Sequence, residues 1–337
     1  MKRIAINGFG RIGRNAFKIA FERQDVEVVA INDLTDNKTL AHLLKYDSSY
    51  GEYQYDISYD DQSITVDGKR IQTYEQADPA QLPWRDLNVD VVIESTGFFV
   101  DPAKARAHID QAGAKRVVIS APAKGEGADT IVLGVNDSKL QERFSDVVSN
   151  ASCTTNCIAP VMNLLETHFG VEKAMMTTVH SYTASQKLQD APAKDLREAR
   201  AAAENIVPTT TGASIATTLV IPSLENKFGG LSVRVPTPVV SLSDITVITK
   251  RDVTVEEVNQ MFKNAADEPF YQGILDITEK ELVSSDFRGN SHSAIVDLPL
   301  TAVTAGNMLK VVAWYDNEWG YSNRLVELTC DIARLTQ

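Results

Sequence analysis

The chain has 337 residues, 43% apolar and 23% charged, an ordinary composition for a soluble globular protein long enough to hold two cores. Its 33 basic and 45 acidic side chains give 33 − 45 = −12, which argues against a general nucleic-acid binder while leaving room for a local basic pocket. Three cysteines do not make a disulfide framework, no apolar run reaches the ~18 residues of a membrane span, and the opening MKRIAINGFG lacks a signal peptide's apolar core; the expectation is a cytoplasmic chain with no membrane partner.

In chain order, residues 4–6 read as a strand, 14–22 as a helix and 26–31 as a second strand. Residues 90–93 and 116–119 are short apolar runs of the kind buried in a parallel sheet, and 130–133 and 147–148 complete the set. Strands alternating with helices predict a doubly wound α/β domain over residues 1–152. After Cys153 the pattern changes. Ile158, Val161, Leu164 and Leu165 share one helical face, and residues 174–179, 231–234, 293–296 and 308–314 read as strands. Residues 244–249 alternate polar with apolar, as in a half-solvated antiparallel strand. Helical spacing returns at 254–266 and 325–335. The second domain, 153–316, is therefore expected to be α+β.

Gly8-Phe9-Gly10-Arg11-Ile12-Gly13 fits G-x-G-x-x-G between a strand and a helix. The glycines allow a tight turn and let the backbone approach a pyrophosphate, and the helix N-terminus supplies N–H donors. Asp33 closes the second strand, 33 − 13 = 20 residues past Gly13, where a carboxylate binds ribose hydroxyls and repels a 2′-phosphate. The expected cofactor is NAD rather than NADP. Thr96 and Ser120 follow buried strands, at the edge where open α/β sheets bind ligands.

Cys153 lies in Ser149-Asn150-Ala151-Ser152-Cys153-Thr154-Thr155-Asn156-Cys157, where a strand-like run becomes a helix. A helix N-terminus favours the thiolate, the nucleophilic form. His180 closes a later apolar strand. Cys with His is the activated-nucleophile pairing, although sequence alone does not bring the two together. No metal-ligand spacing surrounds Cys153 and Cys157, so no metal is expected; Cys157 and Cys330 read as buried packing. Three stretches suggest anion binding. Thr211 and Gly212 precede a small-residue helix, Arg234 interrupts an apolar strand, and Arg197 and Arg200 are placed on a helix.

SNASCTTNC (149–157), NGFGRIGR (7–14), PTTTGA (208–213), RVPTP (234–238) and WYDNEWGYSNR (314–324) resemble the phosphorylating glyceraldehyde-3-phosphate dehydrogenases along essentially the whole chain. The resemblance implies a homotetramer of Rossmann-plus-catalytic subunits, with a mostly antiparallel catalytic sheet and the C-terminal helix 317–337 packing back on the cofactor domain. It implies Cys153 as nucleophile and His180 as base. Arg11, Ile12, Asp33, Thr96, Ser120 and Asn317 match its NAD contacts. Ser152, Thr154, Thr183, Thr211, Gly212 and Arg234 match its two anion sites, for substrate phosphate and inorganic phosphate. The implied reaction oxidises and phosphorylates glyceraldehyde 3-phosphate through a hemithioacetal and a thioester on Cys153.

The chain departs from the family at Ala77, where many members carry a basic residue, and at Glu198, beside Arg197. Leu34 and Pro192 match NAD-preferring members. Two other readings compete. Erythrose-4-phosphate dehydrogenase resembles the same family, but His180-Ser181-Tyr182-Thr183 and Thr209-Thr210-Thr211-Gly212 have the glyceraldehyde-phosphate form. A non-enzymatic NAD-binding regulator or scaffold has no need of both Cys153 and His180.

Overall fold

The computed structural model describes residues 1–336. It divides into two compact units: residues 1–131, 138–151 and 322 onward form the first, and 132–137 with 152–321 the second.

In the first unit, seven strands run parallel in the order Asp129–Thr130, Val147–Ser149, Arg116–Ile119, Val91–Glu94, Lys2–Asn7, Val26–Asn32 and Lys69–Tyr74. Ser63–Val66 and Ile57–Asp60 extend the sheet antiparallel beyond Lys69–Tyr74. The chain goes from Lys2–Asn7 to its neighbour Val26–Asn32, then resumes on the opposite side with Val91–Glu94. Strand order therefore reverses at the end of Lys2–Asn7, the place where open α/β sheets bind ligands. Ala5, Ala30, Val92 and Val117 share a buried core with Trp84, Leu82 and Ala105.

The apolar run 130–133 is not the strand its composition suggests: pairing stops at Thr130. Asn136 Oδ1 accepts from the Val132 N–H at 2.8 Å, and the Val135 N–H returns to the Val132 carbonyl. A turn satisfies the backbone there, and the apolar side chains are simply buried.

The second unit's sheet runs Val207–Thr209, Phe228–Val235, Val171–Ser181, Ser241–Thr249, Met308–Tyr315, Ala294–Asp297 and Leu275–Thr278, with Ala302–Thr304 also on Met308–Tyr315. Two of these pairings are parallel and the rest antiparallel. Ser241–Thr249 alternates buried and half-buried along its whole length, as its sequence alternation requires. The helix Cys153–Phe169 lies against Ser241–Thr249, Ala294–Asp297 and Met308–Tyr315, burying Ile158, Val161 and Leu165. Gly170, at φ +67°, ends it.

Residues 195–200 form turns rather than the expected helix. The Arg197 N–H donates to Asp195 Oδ1 at 2.8 Å, and Arg200 pairs with Asp190 at 2.9 Å. A short Asp side chain capturing a backbone N–H two residues on holds a turn in place of a helix. The last helix, Trp319–Leu335, begins earlier than its spacing suggests. In its first-unit part Arg334 reaches Asp25 at 3.5 Å, and just past its end Lys2 donates to the Thr336 carbonyl at 2.5 Å. Among the described residues, no helix is long and apolar enough to cross a membrane.

Candidate active site

Gly8, Gly10, Asp33, Leu34, Ala77 and Thr96 line one pocket of about 570 Å³ in the first unit. The glycines are there for space. Gly8 has φ +92°, and a Cβ on it would stand 2.6 Å from the Thr96 nitrogen. A Cβ on Gly13 would meet the Gly8 carbonyl oxygen at 2.0 Å, so the helix Arg11–Phe21 could not start so close to the loop. Nothing lies within 4 Å of a Cβ position on Gly10, which leaves its backbone open to a ligand. Arg11, Ile12 and Gly13 form the first turn, and the N-cap Gly10 offers no side chain to that turn's N–H groups. They fit a pyrophosphate, and the concave pocket fits a dinucleotide.

Asp33 holds this loop in place: Oδ2 accepts from the Phe9 N–H at 2.7 Å and Oδ1 from the Thr35 N–H at 3.0 Å. The Arg11 guanidinium is committed to Asp47 at 2.6 Å and stands 5.7 Å over the Tyr50 ring, so its backbone is the part suited to a ligand. Thr96 donates its hydroxyl to Glu94 at 2.5 Å and accepts from the Phe98 N–H at 3.1 Å. Ser120 follows the next strand, Arg116–Ile119, with its N–H on the Glu94 carbonyl, and is not among the residues lining this pocket.

In the second unit Cys153 is the first residue of its helix and His180 is the tenth of eleven in Val171–Ser181. The sequence could not bring them together; the fold places Cys153 Sγ 3.5 Å from His180 Nε2. Ser152 caps the helix, its Oγ accepting from the Thr155 N–H at 3.0 Å. Burial pushes the half-buried Cys153 thiol above its ordinary value, outweighing the Arg234 charge that favours the thiolate. His180 is lowered to about 3, by burial first and by Arg234 second. Both shifts oppose the thiolate–imidazolium ion pair that helix position alone favours.

Parallel pairing sets Arg234 directly beside His180. Its Nη1 stands 2.5 Å from His180 Nδ1 and 3.2 Å from the Ser181 carbonyl, which is itself 2.7 Å from Nδ1. Among the expected anion ligands, Thr211 accepts from the Ala213 N–H at 3.1 Å and Gly212 caps the helix Ala213–Val220. Thr183 Oγ1 meets Ser185 Oγ at 3.0 Å. Thr154 directs its hydroxyl to Tyr315 at 2.9 Å. Asn317 Oδ1 accepts from Ser241 Oγ at 3.0 Å.

Tyr315 is a neighbour of the Cys153–His180 pair that the sequence did not single out. Its phenol joins Thr154 and Thr178, and its ring stands edge-on to His180 at 6.0 Å. The only signal was a tyrosine ending an apolar strand inside the motif WYDNEWGYSNR. Cys157 and Cys330 are fully buried; burial pushes the Cys330 thiol up to about 12 and leaves Cys157 likewise un-ionised.

Residues 2–102 match the family signature described as glyceraldehyde 3-phosphate dehydrogenase, NAD binding domain, and residues 152–317 match that of the C-terminal domain. Among similar curated proteins, the glyceraldehyde-3-phosphate dehydrogenase of Streptomyces coelicolor is 54% identical over 97% of both chains. Glyceraldehyde-3-phosphate dehydrogenase 1 of Bacillus subtilis is 52% identical over 98% of both, and the Geobacillus stearothermophilus protein is 52% identical over 98% of both. With both family domains matched and identity above one half along nearly its whole length, the chain belongs to the glyceraldehyde-3-phosphate dehydrogenase family.

Proposed function

We propose that this chain oxidises and phosphorylates D-glyceraldehyde 3-phosphate to 1,3-bisphosphoglycerate with NAD and inorganic phosphate. The observation that carries the reading is the 3.5 Å approach of Cys153 Sγ to His180 Nε2 in a chain that also holds a dinucleotide loop. A neutral imidazole beside a thiol is a base beside a nucleophile. Cys153 gives its proton to His180 and its sulfur attacks the aldehyde carbon; the imidazolium returns the proton to the new oxyanion. His180 then takes the hydroxyl proton of this hemithioacetal as the C–H bond breaks. Bound NAD supplies the acceptor for the hydride. The thioester left on Cys153 keeps the oxidation free energy, and phosphate attacks it, forming the C–O bond and releasing the thiolate. The Cys153 backbone N–H and His180 stabilise the oxyanion.

Arg234, Thr183, Thr211, Gly212, Ser152 and Thr154 serve the two phosphates in this reading, and Asn317 orients the carboxamide. Support comes from the Arg beside His180 and from the helix N-terminus at Gly212. Gly8, Gly10, Arg11, Ile12, Gly13, Asp33, Thr96 and Ser120 serve NAD. The protein works in the cytoplasm as a homotetramer. Exposed Met175, Leu231 and Met308 on the second unit's strands support self-association.

The test is NADH formation from glyceraldehyde 3-phosphate with and without phosphate, before and after alkylation of one thiol, with erythrose 4-phosphate as a second substrate. Phosphate-dependent turnover lost on alkylation is expected. Phosphate-independent turnover that prefers erythrose 4-phosphate would replace this reading, and light scattering reads the assembly.

A further inference from the structure

We propose that Arg234 is a latch on the His180 tautomer, released when a dianionic phosphate draws the guanidinium away. The proposal rests on the reading of Arg234 as a phosphate ligand, and extends it from binding to control of the base.

His180 Nδ1 has two partners that make opposite demands. A guanidinium only donates, so Arg234 Nη1 at 2.5 Å requires the Nδ1 lone pair. The neutral ring then carries its proton on Nε2, the nitrogen facing Cys153 Sγ at 3.5 Å. In that form the ring donates to sulfur and has no lone pair with which to accept the thiol proton. The Ser181 carbonyl, 2.7 Å from the same Nδ1, only accepts, and so requires the proton on Nδ1 and a bare Nε2. The two neighbours demand opposite tautomers. While Arg234 is present it takes the Nδ1 lone pair, and it also serves Ser181 by donating to its carbonyl at 3.2 Å.

The parked guanidinium is itself incompletely satisfied. Arg234 Nε is buried with no hydrogen-bond partner among the described residues. An anion offers paired, charge-assisted bonds that an imidazole nitrogen cannot match. Once Arg234 turns to it, the Ser181 carbonyl loses its donor and Nδ1 loses its own. Moving the ring proton from Nε2 to Nδ1 satisfies both and leaves Nε2 bare beside the thiol. The ring neither gains nor loses a proton overall. Burial and the adjacent charge hold His180 neutral, which keeps both tautomers accessible in place of the cation.

The latch reverses the sign of an ordinary electrostatic expectation, and this makes it testable. Without a latch, removing the Arg234 charge makes Cys153 less reactive. With it, removal frees the base. The substrates are glyceraldehyde 3-phosphate and unphosphorylated glyceraldehyde, each with the wild type and Arg234→Met; inorganic phosphate, which would itself open the latch, is left out, and kcat/KM is taken as the second-order constant of the single-turnover NADH burst. The variant is expected to lose about 100-fold or more in kcat/KM on the phosphorylated aldehyde. On the unphosphorylated one it should gain about threefold or more over the wild type, a modest part of general-base catalysis. A gain confined to the unphosphorylated aldehyde is not something a merely structural role for Arg234 produces. Equal or slower turnover of glyceraldehyde overturns the latch. An unchanged kcat/KM on the phosphorylated aldehyde overturns the phosphate-ligand reading instead.

A second measurement needs no variant. Iodoacetamide alkylation of wild-type Cys153 is timed with and without phosphite, a dianion of the same chemistry as the substrate's phosphate. Faster alkylation with phosphite is expected. No change, or the slowing that a bare dianion near a thiolate produces, overturns the latch.

Discussion

Thr154 and Tyr315 stand 161 residues apart in sequence and meet hydroxyl to hydroxyl at 2.9 Å, directly behind the reactive cysteine. Tyr315 also meets Thr178 Oγ1 at 2.8 Å, two residues before His180 on the same strand. One buried phenol thus ties the first turn of the cysteine's helix to the strand that carries the base. Burial holds that phenol un-ionised, so it acts as a hydrogen-bonding tie rather than as an acid.

Replacing Tyr315 with Phe leaves the Thr154 hydroxyl short of a partner in a buried place, while Thr178 keeps its bond to the Leu242 carbonyl at 3.3 Å. The expected cost is about 1–3 kcal/mol of stability, the penalty for unpaired buried polar groups. The Sγ–Nε2 approach loosens with it, so kcat should fall by roughly one order of magnitude while the KM for NAD holds. Urea denaturation and steady-state kinetics on the same preparation check both.

Asp33 has a structural role beside the ribose-binding one proposed for it. Its two oxygens hold the Phe9 and Thr35 N–H groups, so the carboxylate shapes the glycine loop before any ribose arrives. Asp33→Ala should therefore weaken NAD binding and remove the repulsion of a 2′-phosphate together. The ratio of kcat/KM for NADP to that for NAD is expected to rise by about tenfold or more, roughly 1.4 kcal/mol. An unchanged ratio with weakened NAD binding would leave Asp33 with its loop role alone.

His180 gives the pH dependence of stability a definite sign. Its folded value of about 3 lies below its ordinary 6.5, so between these limits the unfolded chain binds the extra proton. The His180 contribution is present in full above pH 6.5 and is lost as pH falls from there toward 3. Near pH 5 this amounts to about 2 kcal/mol, from roughly 1.4 kcal/mol per pH unit. His180→Asn lacks the titration and should lose less stability between pH 7 and 5 than the wild type. Urea midpoints at both pH values measure the difference. Parallel slopes for the two proteins would show that the imidazole is not held neutral.

The glycine loop, Asp33, and the helix starting at Cys153 were legible because each is local: spacing, strand context and a capping Ser152 lie within a few residues. The strand Ser241–Thr249 was legible for the same reason, since period-two alternation maps directly onto burial. The contacts that make chemistry were not. His180 and Arg234 meet through the register of two parallel strands 54 residues apart, and no periodicity records a register. Ile57–Asp60 went unread because it is a short, exposed edge strand with no buried face. Residues 130–133 misled in the opposite direction, because burial makes a turn as apolar as a strand. Family resemblance named Cys153 and His180 as partners, but it gave no hint that Arg234 competes for the Nδ1 lone pair.

The floor of the dinucleotide pocket rests on a buried network whose central histidine drew no functional reading from the sequence. Indole N–H only donates, so Trp84 Nε1 at 2.9 Å fixes His108 Nδ1 as an acceptor and leaves the ring proton on Nε2. That proton is donated to Glu94 Oε2 at 3.1 Å, and Asn7 Nδ2 donates to the same oxygen at 2.5 Å. The other carboxylate oxygen takes the Thr96 N–H at 2.8 Å. Asn7 accepts from Asn32, which exchanges bonds with the Gln76 backbone. The pocket residues Asn7, Asn32, Gln76 and Thr96 are thus set by one carboxylate held from behind by His108. His108→Leu removes a donor from that carboxylate and leaves the Trp84 N–H unpaired, at a cost of about 1–3 kcal/mol for each group. The pocket should loosen, raising the NAD dissociation constant roughly fivefold to tenfold, a coupling of about 1 kcal/mol. His108→Gln, which restores a side-chain donor, should recover part of the affinity. Neither change touches Cys153 or Arg234, so the KM for the aldehyde phosphate should stay near the wild-type value. Calorimetric NAD titration of the three proteins decides the matter: equal dissociation constants would reduce the network to a stability element with no hold on the cofactor.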